Sequence, residues 1–159
     1  MAPRAGTHYA YRTPHGPVTI AVNGQGVARV AFGNTSLPGE RRPSELANRT
    51  ATELLEYFAG KRRTFDVPLA PVGTVFQRAV WHAVEHIPYG QTLTAADVAA
   101  LLDAPTSYRA VGSAVHKNPL AVLVPDHRIV GANGLPLGPN AQLRSALLTL
   151  ERTTAHDAR

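Results

Sequence analysis

A carboxylate and an imidazole are adjacent in the tetrapeptide Pro125-Asp126-His127-Arg128. An aspartate side chain has a reference pKa of about 3.9, so an accessible Asp126 would be ionised at neutral pH without help from His127. An anionic carboxylate can stabilise a developing positive charge or act as a nucleophile, and a histidine can activate water. The pair therefore indicates acid–base, covalent or electrostatic chemistry at this point in the chain.

Thiol and metal chemistry are disfavoured by the composition. The sequence has no cysteine, which excludes disulfides, thiolate metal sites and thiol nucleophiles together. Its seven histidines are dispersed, and only His82 and His86 have the i, i+4 spacing that places two imidazoles on one helix face. Two ligands without an acidic third do not make a metal centre, so we expect no metal and no other cofactor.

The charge balance permits a polyanionic partner without requiring one. The 159 residues have a formal charge of +5 and a sequence pI of about 10.1. The densest basic run, Lys61-Arg62-Arg63, follows an expected helix end at Gly60, where cations suit the helix dipole. No apolar run has the length of a membrane span or a secretory signal, so we expect no membrane partner and a cytoplasmic location, nucleoid-associated in a bacterium.

The elements that precede the tetrapeptide begin with a small sheet. Residues 18–22 and 27–32 alternate like antiparallel strands around a turn at Asn23-Gly24. An amphipathic helix over residues 44–59 is expected to cover this sheet, and residues 68–71 are expected to link it to a second segment. The apolar positions that predict the helix are Leu46, Leu54, Leu55 and Phe58.

The second segment is predicted to be mostly helical. Phe76, Val80, Val84 and Ile87 share one face of its first helix, which ends at Pro88-Tyr89-Gly90. Thr94 and Asp97 predict the start of a short helix whose apolar face contains Val98, Leu101 and Leu102. Another helix is expected over residues 107–116, and the pair is consistent with a helix-turn-helix-like module or with a simple helical hairpin.

The last elements should deliver the tetrapeptide to a fixed place. Residues 120–124 form a continuous apolar run that predicts a buried strand directly before Pro125. A turn at Asn133-Gly134 predicts a small hairpin or wing, and a final helix is expected around Leu143, Leu147 and Leu150.

Several short motifs follow one another in a characteristic order. They are Gly73-Thr74-Val75-Phe76-Gln77-Arg78, Val80-Trp81, Ile87-Pro88-Tyr89-Gly90, Arg109-Ala110-Val111-Gly112, Asn118-Pro119 and the tetrapeptide. In order and spacing they resemble the O6-alkylguanine-DNA alkyltransferases. Weaker matches at Tyr57-Phe58-Ala59-Gly60 and Phe65-Asp66-Val67-Pro68-Leu69 extend the resemblance over nearly the whole chain.

The resemblance implies an α/β (α+β) fold with two domains. Residues 1–70 would form a small, ribonuclease-H-like mixed α/β domain, and residues 71–159 a helical, winged-helix-like DNA-binding domain. The implied partner is double-stranded DNA with alkylated guanine. Some relatives, the alkyltransferase-like proteins, bind such lesions without reversing them and recruit excision repair, which makes excision-repair proteins a further expected partner.

The family's catalytic triad of cysteine, histidine and glutamate corresponds to Asp126, His127 and Glu151, so two of its three residue types remain. By the same resemblance, Asn118 and Arg128 are expected to have structural roles. Because the cysteine position holds an aspartate, this chain cannot perform the family's self-alkylation on sulfur.

The resemblance also implies how DNA would be held. The family's second helix lies against the minor groove, and its arginine, here Arg109, enters the duplex in place of an extruded base. The expected DNA-binding residues are Ser107, Tyr108, Arg109, Ala110, Gly112, Ser113 and Lys117. Tyrosines and a serine of the family's lesion pocket correspond to Ala95, Leu137 and Gly138, so we expect a roomier and less polar pocket that tolerates bulky adducts.

Several roles for Asp126 remain open at this point. A non-reactive carboxylate that bonds to nearby backbone or pairs with Arg128 or Arg144 is favoured, and it makes the protein a sensor of damaged DNA. The alternatives are a turnover dealkylase that forms an ester on Asp126 and hydrolyses it with His127, a glycosylase-like enzyme, and an inactive cysteine-lacking variant.

Overall fold

The computed structural model describes residues 6–33 and 35–157. The chain forms two compact units. The first comprises Met1–Val72 with Pro119–Leu123, and the second comprises Gly73–Asn118 with Val124–Arg159. The mixed α/β architecture, with an N-terminal sheet and a C-terminal helical part, agrees with the expected fold class.

The first unit is built on a four-stranded sheet. Its strands are β1 (Thr7–Thr13), β2 (Gly16–Asn23), β3 (Gly26–Phe32) and β4 (Glu40–Arg41), in the spatial order β3-β2-β1-β4. The first three strands pair antiparallel, and β4 pairs parallel with β1. The expected hairpin at Asn23-Gly24 is present, with Asn23 Oδ1 accepting hydrogen bonds from the backbone of Gln25 and Gly26.

One face of the sheet is covered by helix α1 (Glu45–Phe58). Ser44 caps the helix by accepting a hydrogen bond from Ala47 N at 3.1 Å. Leu54 and Tyr57 are fully buried, whereas Leu55 is 43% exposed, so its expected place on the apolar face was wrong. The buried positions are spaced three and four residues apart, and Leu55 lies one residue, about 100°, beyond that stripe.

The second unit contains helices α2 (Val75–Glu85), α3 (Ala95–Leu101), α4 (Tyr108–His116) and α5 (Ala141–Asp157). Capping boxes start α2 at Thr74 and α3 at Thr94, where Asp97 returns the expected hydrogen bond to the backbone. The expected burial of Val98 is confirmed, but Leu101 is 66% exposed and Ala99 is buried instead. No helix in the described ranges is long and apolar enough to cross a membrane.

The segment before the tetrapeptide is not a strand, which corrects the sequence prediction. Leu123 N donates to Ala121 O at 2.9 Å, and Val122 between them has a φ of 72°. Asp126 N then donates to Val124 O at 2.7 Å across Pro125, whose φ and ψ are −79° and 67°. These are two γ-turns in succession, and the first is the strained form, held here by buried apolar side chains. Apolar composition predicted the burial correctly but could not distinguish tight turns from a strand.

Candidate active site and nucleic-acid interface

Asp126 begins a short 3₁₀ turn, Asp126–Arg128, whose three side chains are all buried. Its Oδ2 atom accepts a hydrogen bond from Asn118 Nδ2 at 3.0 Å and one from Arg144 Nη2 at 2.9 Å. Asn118 Nδ2 also donates to Val124 O at 3.1 Å, so one amide connects the aspartate to the turn before it. Of the partners proposed for Asp126 from sequence, the structure selects Arg144 and not Arg128.

The Arg144 guanidinium is held by backbone carbonyls as well as by the Asp126 carboxylate. Its residue is 5% exposed, and besides the carboxylate it donates to three backbone carbonyls: Pro139 O at 2.6 Å, Leu137 O at 2.7 Å and Asp126 O at 3.3 Å. A guanidinium with this many fixed acceptors has little freedom to leave the carboxylate.

Burial raises the pKa of the Asp126 carboxyl, and the charge of Arg144 with the amide of Asn118 opposes that rise. A carboxylate that is buried, ion-paired and hydrogen-bonded is a weak nucleophile towards carbon. The environment therefore favours a structural or recognition role for Asp126.

The Glu151 carboxylate accepts hydrogen bonds from His127, Arg128 and the backbone of Gly90. Its Oε2 lies 2.6 Å from His127 Nε2, and both carboxylate oxygens accept from Arg128, at 2.8 and 2.9 Å. Gly90 N adds a hydrogen bond to Oε1 at 3.1 Å. Arg128 Nη1 also donates to Ile87 O at 2.6 Å. Thus two of the residue types in the expected triad, His127 and Glu151, are in direct contact.

These partners stabilise the charged form of Glu151. Burial alone would raise its pKa, but hydrogen bonds from His127 and Arg128, together with their charges, lower the pKa to about 2. With a proton on Nε2 shared with Glu151, the basic nitrogen of His127 is Nδ1.

Acidification is expected to destabilise the protein through Glu151. Its pKa is lowered from 4.5 to about 2, so its contribution is present above pH 4.5 and is lost as the pH falls towards 2. The loss is about 3 kcal/mol, at about 1.4 kcal/mol per pKa unit. The contribution of Asp126 to stability changes with pH in the opposite direction because its pKa is raised. Stability from this group increases as the pH falls through its pKa in the folded protein.

Urea unfolding from pH 7 to pH 2, with carboxyl ¹³C titration of Glu151, measures this effect. Asp126→Asn should show a larger net loss than the parent because the opposing contribution is gone. A Glu151 titration midpoint at or above the ordinary value of 4.5 would contradict the expectation.

Helix α4 presents a mixed exposed face beside a buried apolar one. Tyr108, Arg109, Ala110, Ser113 and Lys117 are exposed, and Ser107 and Gly112 are half-buried. The guanidinium carbon of Arg109 lies 5.9 Å from the centroid of the Tyr108 ring. A Cβ placed on Gly112 would meet no atom within 4 Å, so this part of the helix surface is open. Ala114 lies on the buried side of the same helix, and its carbonyl accepts the Trp81 indole N–H at 2.8 Å.

Two of the three residues expected in the lesion pocket line one cavity. Leu137 and Gly138 line a cavity of about 60 Å³, whereas Ala95 is not among its lining residues. Small-molecule pockets usually have roughly 300–1,000 Å³. Arg144 lies close to Gly138, since a Cβ on Gly138 would be only 3.2 Å from the Arg144 guanidinium carbon. The arginine that pairs with Asp126 therefore limits the space beside Gly138.

Arg144 is the site residue whose position sequence reasoning left undecided. A usable signal was present, since Arg144 and Glu151 are seven residues apart and therefore on one side of the last helix. His82 and His86 are in ring contact at 4.5 Å, and within residues 6–33 and 35–157 no group of three metal-ligating side chains is found.

Comparison with known proteins gives one consistent result. Residues 8–71 match the ribonuclease-like domain, and residues 75–153 the DNA-binding domain, of 6-O-methylguanine DNA methyltransferase. The chain is 40% identical over 152 residues to a methylated-DNA–protein-cysteine methyltransferase of Methanosarcina acetivorans, covering 91% of this chain and 97% of that protein. The crystal structure of Mycobacterium tuberculosis O6-methylguanine methyltransferase is similar with a TM-score of 0.85 and 34% identity, covering 93% of each chain. The Mycobacterium tuberculosis OGT structure in complex with DNA gives a TM-score of 0.86 and 35% identity, covering 93% of this chain and 94% of that one.

Proposed function

The chain belongs to the 6-O-methylguanine DNA methyltransferase family, and we propose that it binds DNA containing O6-alkylguanine without transferring the alkyl group to itself. The observation that supports this most directly is the state of Asp126. The side chain at the position of the family's cysteine is a buried carboxylate bonded to Arg144 and Asn118. Such a group has neither the nucleophilicity of a thiolate nor freedom to move towards an alkyl carbon.

DNA docking is assigned to residues 71–159, and within them to the exposed face of α4. Arg109 would enter the duplex through the minor groove while Ser107, Tyr108, Ala110, Gly112, Ser113 and Lys117 contact the sugar-phosphate backbone. The open surface at Gly112 supports this assignment, because a backbone without side chains can approach a groove closely.

The extruded guanine would be presented beside Asp126 and His127, and Arg144 would have to yield some of the volume near Gly138. Base extrusion costs a few kcal/mol and least at weakened pairs, which favours damaged sites. The resulting complex would mark the lesion for excision-repair proteins.

The proposal is tested by incubating the protein with excess duplex containing one O6-methylguanine and following the masses of DNA and protein together. We expect both masses to stay unchanged while a lesion-specific complex is retained on a gel. Restored guanine or abasic strand in excess over protein would instead establish a turnover dealkylase or a glycosylase. A mass gain on Asp126 would identify the ester route, and equal affinity for undamaged duplex would identify an inactive variant.

The docking face is tested in the same assay by two variants. Arg109→Ala and Gly112→Leu should each weaken the lesion complex about tenfold or more, the first by removing the inserted cation and the second by adding bulk. Arg152→Ala removes an exposed arginine from α5 and is the matched control, with an expected change below twofold. Equal losses in all three variants would indicate a general charge effect and contradict docking through α4.

A further inference from the structure

Among the described residues, the sheet face opposite α1 carries basic side chains and no acidic ones. Residues that pair directly across neighbouring strands lie on the same face of a sheet. His8 pairs with Arg41 of β4 and with Ala21 of β2, and Ala21 pairs with Arg29 of β3. Thr19 and Arg12 lie on this face as well, through the pairs Ala10–Thr19 and Arg12–Pro17. The intervening positions are mostly small, with alanine at 10, 21 and 31. A face of this kind has a positive potential that no carboxylate on the same face reduces.

A pocket of about 400 Å³ opens on this face within the first unit. Its polar lining consists of His8, Thr19, Thr35, Ser36 and Arg41. Every one of these side chains can donate a hydrogen bond, and none is a carboxylate. The volume lies in the range of roughly 300–1,000 Å³ that is typical of small-molecule sites.

One polar atom of the pocket lining is buried without a partner within the described residues. His8 Nδ1 is buried without a hydrogen bond. Thr19 is 4% exposed in the central strand β2, and no hydrogen bond of its hydroxyl is seen in the part of the chain that the structure describes. Buried polar atoms are normally satisfied, so the unpaired His8 Nδ1 indicates a missing hydrogen-bond partner in the pocket.

Arg41 supplies the charge at the same site. Arg41 stands on the edge strand β4, and its guanidinium carbon lies 5.0 Å from the centroid of the Tyr9 ring. Because Tyr9 alternates with His8 along β1, the guanidinium must turn towards the pocket to meet a ligand there. Within the described ranges no carboxylate forms a salt bridge with Arg41, in contrast to Arg62, which contacts Glu53, Glu56 and Asp66.

We propose that this pocket binds a phosphate group, with Arg41 and His8 facing its charge and the hydroxyls of Thr19, Thr35 and Ser36 donating to its oxygens. A phosphate presents several acceptor oxygens around one centre, which suits convergent donors better than a planar carboxylate does. The group could belong to a free phosphate or mononucleotide, or to a nucleic-acid phosphodiester.

The site is tested by titrating the full chain with inorganic phosphate at constant ionic strength and recording ¹H–¹⁵N spectra. Saturable shifts are expected at His8, Thr19 and Ser36. Arg41→Gln should weaken phosphate binding about tenfold and Thr19→Val about fivefold, since each removes a donor, and valine keeps the shape and strand preference of threonine.

Arg12→Gln is the matched control because it removes the same charge from the same face outside the pocket, and it should change phosphate affinity by less than twofold. Shifts that do not saturate, or that are equal in Arg41→Gln and Arg12→Gln, would overturn the proposal. Arg109→Ala should leave the titration unchanged, so failure here is distinct from failure of lesion binding.

Two further titrations identify the source of the phosphate. If Arg41→Gln weakens duplex binding and lowers its salt slope by about one while Arg12→Gln does not, the ligand is a phosphodiester. If Arg41→Gln abolishes binding of a 5′-mononucleotide and leaves duplex binding unchanged, the ligand is a free phosphate ester.

Discussion

Asp126→Cys is expected to give a protein that accepts a single methyl group from O6-methylguanine DNA, which the parent leaves unchanged under the proposed function. In this reaction the sulfur–carbon bond forms as the bond from the methyl carbon to guanine O6 breaks, and a proton restores the guanine base. The protein should gain the mass of one methyl group per molecule and then stop, since the thioether is not hydrolysed.

The surroundings of Asp126 favour this outcome. His127 is held by Glu151 at 2.6 Å in the tautomer whose basic nitrogen is Nδ1, which can take a proton from a neighbouring thiol. The guanidinium of Arg144, 2.9 Å from Asp126 Oδ2, would lie near the new sulfur and lower its pKa. Loss of the carboxylate leaves Arg144 with three backbone carbonyl acceptors, so the guanidinium stays hydrogen-bonded.

Asp126→Ser is the matched control, because it makes a similar truncation but gives a hydroxyl that is not ionised at neutral pH. It should bind the lesion and gain no mass. A folded Asp126→Cys that binds the lesion without gaining mass would show that the cavity of about 60 Å³ does not open enough to admit the base. In that case the limit on alkyl transfer is access and not the missing sulfur alone.

Local sequence signals predicted much of the fold. The turn at Asn23-Gly24, the cap at Thr94 with Asp97 and the buried face containing Val80, Val84 and Ile87 are all present, because each depends on residues close together in the chain. The apolar run at residues 120–124 was predicted wrongly as a strand because its conformation depends on residues that are distant in the chain. Its γ-turns depend on packing around Val122, whose φ of 72° has no signature in a β-branched residue.

The candidate site was predictable as a set of residues but not as a network. The sequence offered two arginines for Asp126, and only the fold directs Arg128 to Glu151 and Arg144 to Asp126. The volume of the lesion pocket stays a prediction, because counting the tyrosine rings that are absent ignores which side chains lie near their positions. One such side chain is Arg144, seven residues before Glu151 on the last helix, which becomes a neighbour of Gly138 only after folding.

Arg144→Met is expected to be among the most destabilising single changes in the chain. The change removes the Arg144 hydrogen bond to the buried Asp126 carboxylate, which keeps its hydrogen bond from Asn118. It also removes the donor to three backbone carbonyls. Removing one partner of a buried ion pair usually costs about 3–5 kcal/mol, and urea unfolding at pH 7 measures the loss. Arg152→Met, an exposed change on the same helix, should stay within about 0.5 kcal/mol.

Arg144 and Asp126 depend on each other unequally, because Arg144 has backbone acceptors besides the Asp126 carboxylate. Asp126→Asn should cost less than Arg144→Met because Arg144 retains its carbonyl acceptors, and the double variant should be less destabilised than the two single losses added together. Strict additivity would show that the two side chains are not coupled, so Asp126 would be available for chemistry. Strong coupling between the two changes, with lesion binding retained in Asp126→Asn, would instead mean that the aspartate holds Arg144 in place. The Asp126–Arg144 ion pair would then account for recognition of the lesion without alkyl transfer.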